Sequence, residues 1–232
     1  MRIFAISDLH ISTNTNKPMD IFGGNWVGYM DKIRQDWQEK VSDDDIVLIG
    51  GDISWAMSIE DAYKDILTFS DLKGKKVLIK GNHDYWWSGI GKVRDMLPNN
   101  FFALQNDCVR FNGVVICGSR CWSVPGSPDF GEQDMKLYLR ETERLRLSMN
   151  SVGKIKQDGD KIIALVHYPP FNVRREDTEF TKIFEENNVN SVVYGHLHGK
   201  SVRSDKLVIK NGVKYYLTSC DQVDNKLTEI LL

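Results

Sequence analysis

The chain has 232 residues, of which 41% are hydrophobic and 27% charged. These values fit a globular α/β domain spanning residues 1–232, with a core large enough to need no disulfide or metal staple. Lys and Arg number 30 against 32 Asp and Glu, a formal net charge of -2, and the longest basic runs are pairs such as Lys75-Lys76 and Arg174-Arg175; this gives no support for a dedicated nucleic-acid binder, which carries a basic face or a high pI.

In chain order, short apolar runs alternate with longer amphipathic ones, which predicts an α/β fold. Ile3–Ile6 is too short for a secretory h-region and is followed at once by Ser7 and Asp8. No stretch has the apolar length of a membrane span. The four cysteines, Cys108, Cys117, Cys121 and Cys220, form no C-x-x-C pair, which predicts reduced thiols, core packing and a cytoplasmic location. Core strands are expected at Arg2–Ser7, Ile46–Gly50, Val77–Lys80, Val114–Gly118, Ile162–Val166 and Val192–Tyr194. Helical spacing marks Met30/Ile33/Trp37, Ile59 to Phe69 behind an N-cap at Ser58, Met135 to Leu145, and Phe180/Ile183/Phe184. Asn211-Gly212 between Lys206–Lys210 and Val213–Ser219 predicts a hairpin of type I′. Leu227–Leu232 reads as a last strand.

The informative residues follow the predicted strands. Asp8 and His10 come after the first, Asp52 after the second, and Asn82, His83 and Asp84 after the third. His167 and then His196 and His198 follow two later strands. Ligands gather at the carboxyl ends of strands in open α/β sheets. All five histidines of the chain lie at these ends and none elsewhere. Mixed carboxylate and imidazole donors suit Mn, Fe, Zn or Co rather than Ca, which prefers oxygen alone. Seven donors (Asp8, His10, Asp52, Asn82, His167, His196 and His198) exceed what one tetrahedral zinc uses and are enough for two ions.

The order Asp8-x-His10, Gly51-Asp52, Gly81-Asn82-His83-Asp84, His167 and Gly195-His196-x-His198 resembles the signature of the calcineurin-like metallophosphoesterases. The resemblance implies a four-layer sandwich of two mixed β-sheets flanked by helices. It also implies two transition-metal ions, with Mn or Fe favoured. Asp8, His10 and His198 would hold the first ion, Asn82, His167 and His196 the second, and Asp52 would bridge them. His83 would stand over the phosphate as an acid, with Asp84 orienting its ring. The implied reaction is attack of a metal-bridging hydroxide on a phosphomonoester or phosphodiester. Each residue also has an ordinary use: Asp8, Asp52 and Asn82 suit turns, and Asp84 suits the N-cap of a helix starting near Tyr85.

The expected substrate is a small phosphorylated molecule, nucleotide-like if Trp26, Trp55, Trp86, Trp87 and Trp122 form an aromatic rim rather than core. Arg120, Arg174 and Arg175 are candidates to grip phosphate oxygens. The loop Trp122–Gly131 suits part of a lid. Three other functions stay open at this level: a protein phosphatase, a nuclease, and a non-catalytic binding scaffold of the same fold.

Overall fold

The computed structural model describes residues 1–13, 17–128, 130–199, 202 and 204–232. Its elements in chain order are β1 (Ile3–Ile6), α1 (Tyr29–Lys40), β2 (Ile46–Ile49), α2 (Ile59–Leu67), β3 (Lys75–Ile79), α3 (Ile90–Met96), β4 (Phe101–Leu104), β5 (Cys108–Phe111), β6 (Val114–Cys117), α4 (Glu132–Ile155), β7 (Lys161–Leu165), α5 (Glu179–Glu186), β8 (Ser191–Tyr194), β9 (Leu207–Lys210), β10 (Val213–Leu217) and β11 (Thr228–Glu229).

They form two mixed sheets, ordered β11-β1-β2-β3-β4 and β5-β6-β7-β8-β10-β9. The β1 to β4 pairings are parallel, and β11 closes that edge antiparallel to β1. In the second sheet β6, β7, β8 and β10 are parallel, with antiparallel β5 and β9 at the edges.

Strand alternation builds the layers. In β1, Ile3 and Ala5 join Ile46, Leu48, Ile163 and Leu165 in the core between the sheets. Phe4 and Ile6 face the other way, into the cluster with Ile33 and Trp37 of α1 and Ala62 and Ile66 of α2. On the outer face of the second sheet, Val115, Ala164 and Val192 pack under Leu145 of α4 and Phe180 of α5. The order is therefore helix, sheet, sheet, helix, as the resemblance implies. Both faces of the central strands are covered, which is why they read as continuous apolar runs. Each fully buried Ile or Leu contributes roughly 1.5–3 kcal/mol.

The C-terminal hairpin forms as expected: Lys210 pairs with Val213, and Asn211 and Gly212 have φ of 49° and 82°. Ser58 caps α2, its hydroxyl accepting from Asp61 N–H at 3.2 Å. The expected last strand shortens to Thr228–Glu229. β1 and β10 meet past their ends: Ser7 N–H donates to Thr218 O at 2.8 Å, and Cys220 N–H to Ser7 O at 3.0 Å. This clasp joins the two sheets at the carboxyl edge. None of the described helices is long and apolar enough to cross a membrane.

Candidate metal centre

The β1 and β2 chains stay paired beyond the strands. Asp8 N–H donates to Gly51 O at 3.0 Å and His10 N–H to Asp52 O at 2.9 Å. That pairing holds the two acids side by side, and the backbone turns sharply to do it. Asp8, His10, Asp52 and His196 all have positive φ, from 46° to 69°. Non-glycine residues adopt this region at a cost, and clusters of them mark functional sites. Glycine supplies the close approaches: a Cβ on Gly81 would lie 2.1 Å from Asp52 Oδ1, and one on Gly195 would lie 2.6 Å from Asp8 Oδ2.

All seven expected donors converge. One atom each from Asp8, His10 and His198 lies within 4.8 Å of the others, and Asp8, Asp52 and His167 form a second such group. Asp52 Oδ2 stands 3.5 Å from His167 Nε2 and 3.8 Å from His10 Nε2. Asn82 Oδ1 lies 2.7 Å from His167 Nε2 and 2.9 Å from His196 Nδ1. His167 Nδ1 donates to the Gly50 carbonyl at 2.8 Å, which leaves the Nε2 lone pair facing Asn82 and Asp52.

The donor set fits a bound cation. Both His10 ring nitrogens and Asp52 Oδ2 are buried and have no hydrogen-bond partner among the described residues. Burial and the charge of Asp52 hold Asp8 well above the usual carboxylate range, and burial raises Asp52 as well. Burial pushes His167 and His196 down to about 3 and holds His10 well below its ordinary value. Neutral imidazoles are the form that ligates metals. Acids whose charge is disfavoured by burial and would be offset by a cation, ringed by imidazole lone pairs, are the chemistry of a transition-metal site.

His83 lies at the rim and is half-buried. Its N–H donates to Asp52 Oδ1 at 2.7 Å, and its ring sits 4.6 Å from the Trp55 ring. The Asp84 expectation needs correction. Its carboxylate accepts from Ile53, Ser54 and Gly81 N–H and from the Trp86 indole, at 2.8–3.2 Å, and makes no hydrogen bond to the His83 ring. No helix begins at Tyr85 either, since α3 starts at Ile90. Asp84 ties the Asn82-His83 turn to the Asp52 loop instead.

The aromatic rim is smaller than expected. Trp26, Trp86 and Trp87 are buried. Trp55 stacks on His10 at 4.7 Å between centroids, with the Lys17 ammonium 4.5 Å from the centroid of its ring. Trp122 lies 4.8 Å from Tyr168, whose ring in turn lies 4.0 Å from His196. Tyr168 carries no signal in the sequence beyond adjacency to His167. Of the three arginines, Arg174 pairs with Glu176 at 2.9 Å and Arg175 with Asp205, as ordinary surface pairs. Arg120 lies over Trp122 and 3.5 Å from Glu141. Ser123, Val124, Ser127 and Pro128 of the expected lid, with Tyr168, Phe171, His196 and Leu197, wall a cavity of about 710 Å³. Asp129 within that loop lies outside the described residues. The cysteines are free, and burial pushes the Cys117 and Cys121 thiols up.

The chain belongs to the calcineurin-like phosphoesterase family, whose profile matches residues 1–200. Proteins from two strains of Helicobacter pylori, each described as an uncharacterized metallophosphoesterase, are 23% and 24% identical to it over 218 residues. The match covers 93% of this chain and 49% of each relative, so the chain spans about half the length of the curated relatives it matches. Among solved structures, TT1561 of Thermus thermophilus is similar with a TM-score of 0.61 at 12% identity, covering 99% of this chain and 98% of that one. The phosphopantetheinyl hydrolase PptH of Mycobacterium tuberculosis is similar with a TM-score of 0.57 at 14% identity, covering 99% and 95%. At such identities the likeness speaks for the fold. The family and the Asp/His groupings together support a metal-dependent phosphoesterase.

Proposed function

We propose that this chain hydrolyses phosphomonoester or phosphodiester bonds of a small molecule, using two transition-metal ions. The observation that carries the proposal is the facing of unpartnered donors: His10 and Asp52 Oδ2, buried and unsatisfied, amid Asp8, Asn82, His167, His196 and His198. Asp8, His10 and His198 would hold one ion, Asn82, His167 and His196 the other, and Asp52, between His10 and His167, both. Two ions so held supply an acidified water and offset the charge on the phosphoryl oxygens, and Mn or Fe suits this donor set.

The protein's own side chains do the rest. Gly50 O fixes the His167 tautomer, and the Asp84 bonds hold the Asn82-His83 turn in place. His83, at the rim beside Trp55, is positioned to give a proton to the leaving oxygen. The adjoining cavity of about 710 Å³ falls in the range of small-molecule sites and is walled mainly by apolar groups, which suits the leaving group of a small ester better than a flat protein surface.

The test is metal content measured together with turnover. Wild type should carry two ions per chain and hydrolyse bis(p-nitrophenyl) phosphate. Asp52→Asn should lose both properties together. Full turnover in an Asp52→Asn chain would defeat the bridging role.

A further inference from the structure

The same carboxyl edge holds a second cavity, of about 270 Å³, past the ends of β3, β4 and β6. Lys80 enters it from β3, Asn106 from the β4 turn and Arg120 from the loop after β6. Arg140, Glu141 and Arg144 of α4 close it. Four cations therefore face one carboxylate. Glu141 is buried, and its Oε1 receives all three arginines, at 2.7 Å from Arg144, 3.2 Å from Arg140 and 3.5 Å from Arg120. The Lys80 ammonium donates to the Trp87 carbonyl at 3.0 Å and has no carboxylate partner among the described residues.

The nearby acids are committed elsewhere. Asp107 pairs with Arg94, Asp134 accepts from the Trp122 indole and Gly131 N–H, and Asp84 serves its four N–H donors. One carboxylate needs one guanidinium, and crowding three around a single oxygen costs like-charge repulsion. The excess of cationic donors over carboxylates is the composition of an anion pocket, and planar guanidinium forks match phosphate oxygens in particular. Two of its lining residues are tied to the metal centre through the backbone. The Arg120 carbonyl accepts from the N–H groups of both His167 and Tyr168 at 3.1 Å, and Lys80 stands two residues before Asn82.

We propose that this pocket binds a phosphate group, and that the substrate carries a second phosphoryl group that occupies it while the scissile ester lies at the metal centre. The substrate half rests on the function proposed above. The pocket itself does not. It narrows the substrate class to small esters with two phosphates, such as nucleoside bisphosphates.

Calorimetric titration of inorganic pyrophosphate into the metal-loaded chain tests the pocket. Two binding events are expected, one at the metals and one here. Arg140→Gln with Arg144→Gln should weaken one event about tenfold or more, since charge-assisted bonds are lost. Glu141→Gln should tighten the same event, because the competing carboxylate is gone. Opposite effects from neighbouring changes cannot come from general unfolding. Identical isotherms in all three proteins would overturn the pocket. The substrate half is read from kcat/KM: in the double variant it should fall about tenfold for a nucleoside 3′,5′-bisphosphate and hold for bis(p-nitrophenyl) phosphate. Loss of the pyrophosphate event with both values unchanged would refute the substrate half. A chain that hydrolyses neither ester would fail the proposed function, while the isotherms still decide the pocket.

Discussion

Asn82 Oδ1 lies 2.7 Å from Nε2 of His167, whose other ring nitrogen donates to the Gly50 carbonyl. Two acceptor atoms thus face each other, and His196 Nδ1 approaches the same oxygen at 2.9 Å. A shared cation relieves that opposition. Asn82→Ala is therefore expected to lower bound metal from two ions per chain toward one and to cut turnover roughly 100-fold or more. Metal analysis of the purified variant beside a rate assay checks both. Unchanged metal content would remove Asn82 from the ligand set.

His83 is expected to matter in proportion to how badly the leaving group needs a proton. His83→Ala should slow an alkyl phosphodiester by roughly 100-fold or more and bis(p-nitrophenyl) phosphate far less, because nitrophenolate leaves unaided. Equal effects on both esters would point to a binding role.

Asp84 acts through the backbone, so its loss should be felt as stability. Asp84→Ala leaves the N–H groups of Ile53, Ser54 and Gly81 buried without an acceptor. A loss of about 3 kcal/mol or more is expected in denaturant titration, with turnover reduced because the Asn82-His83 turn loosens. A variant as stable as wild type would show that the bonds are replaceable.

Gly81→Ala tests the packing against Asp52. The added methyl would sit 2.1 Å from Asp52 Oδ1 and 2.2 Å from its backbone nitrogen, and backbone cannot step aside. Near-complete loss of turnover is expected, with destabilisation of a few kcal/mol. An active, stable variant would mean that the β2 loop tolerates a shift that the geometry forbids.

Lys76 gives a pH dependence remote from the metals. It is fully buried, with its ammonium donating to the Leu72 carbonyl and lying 5.2 Å from the Phe101 ring centroid. Burial pushes it down to about 8 from 10.5. Between those values the unfolded chain binds the extra proton, so stability rises as pH climbs from about 8 to about 10.5. The penalty is fully present below pH 8. Against a Lys76→Met reference, wild type should gain roughly 3 kcal/mol over that window. Parallel denaturant curves at pH 7 and pH 10.5 are the check, and a constant difference between the two proteins would contradict it.

Much of the fold and of the site is legible in the sequence alone. The strand ends carrying Asp8, Asp52, Asn82, His167 and His196 could be read because doubly covered strands are uninterrupted apolar runs and polar residues then stand out. The hairpin at Asn211-Gly212 was legible because only a few residue pairs accept two positive φ values. What escaped was short or half-exposed. α3 is seven residues long, contains Gly91 and follows Gly89, so its helical period never builds. β5 is an edge strand of intermediate burial with no alternation to detect. β4 is four residues long and follows directly on the turn at Asn99-Asn100. Adjacency to His83 suggests a partner for Asp84, whereas two of its four donors, Ile53 and Ser54, lie about thirty residues away in the Asp52 loop. The cationic pocket was illegible for the same reason: Lys80, Arg120 and Arg144 meet only when β3, β6 and α4 are packed.

The most direct test of the central claim is hydrolysis of bis(p-nitrophenyl) phosphate by the chelator-stripped chain, before and after Mn is added. Turnover absent from the stripped chain and restored by Mn is the expected result. Equal turnover with and without metal, or none with Mn, Fe, Zn or Co despite stoichiometric binding of the ions, would contradict a metal-dependent phosphoesterase.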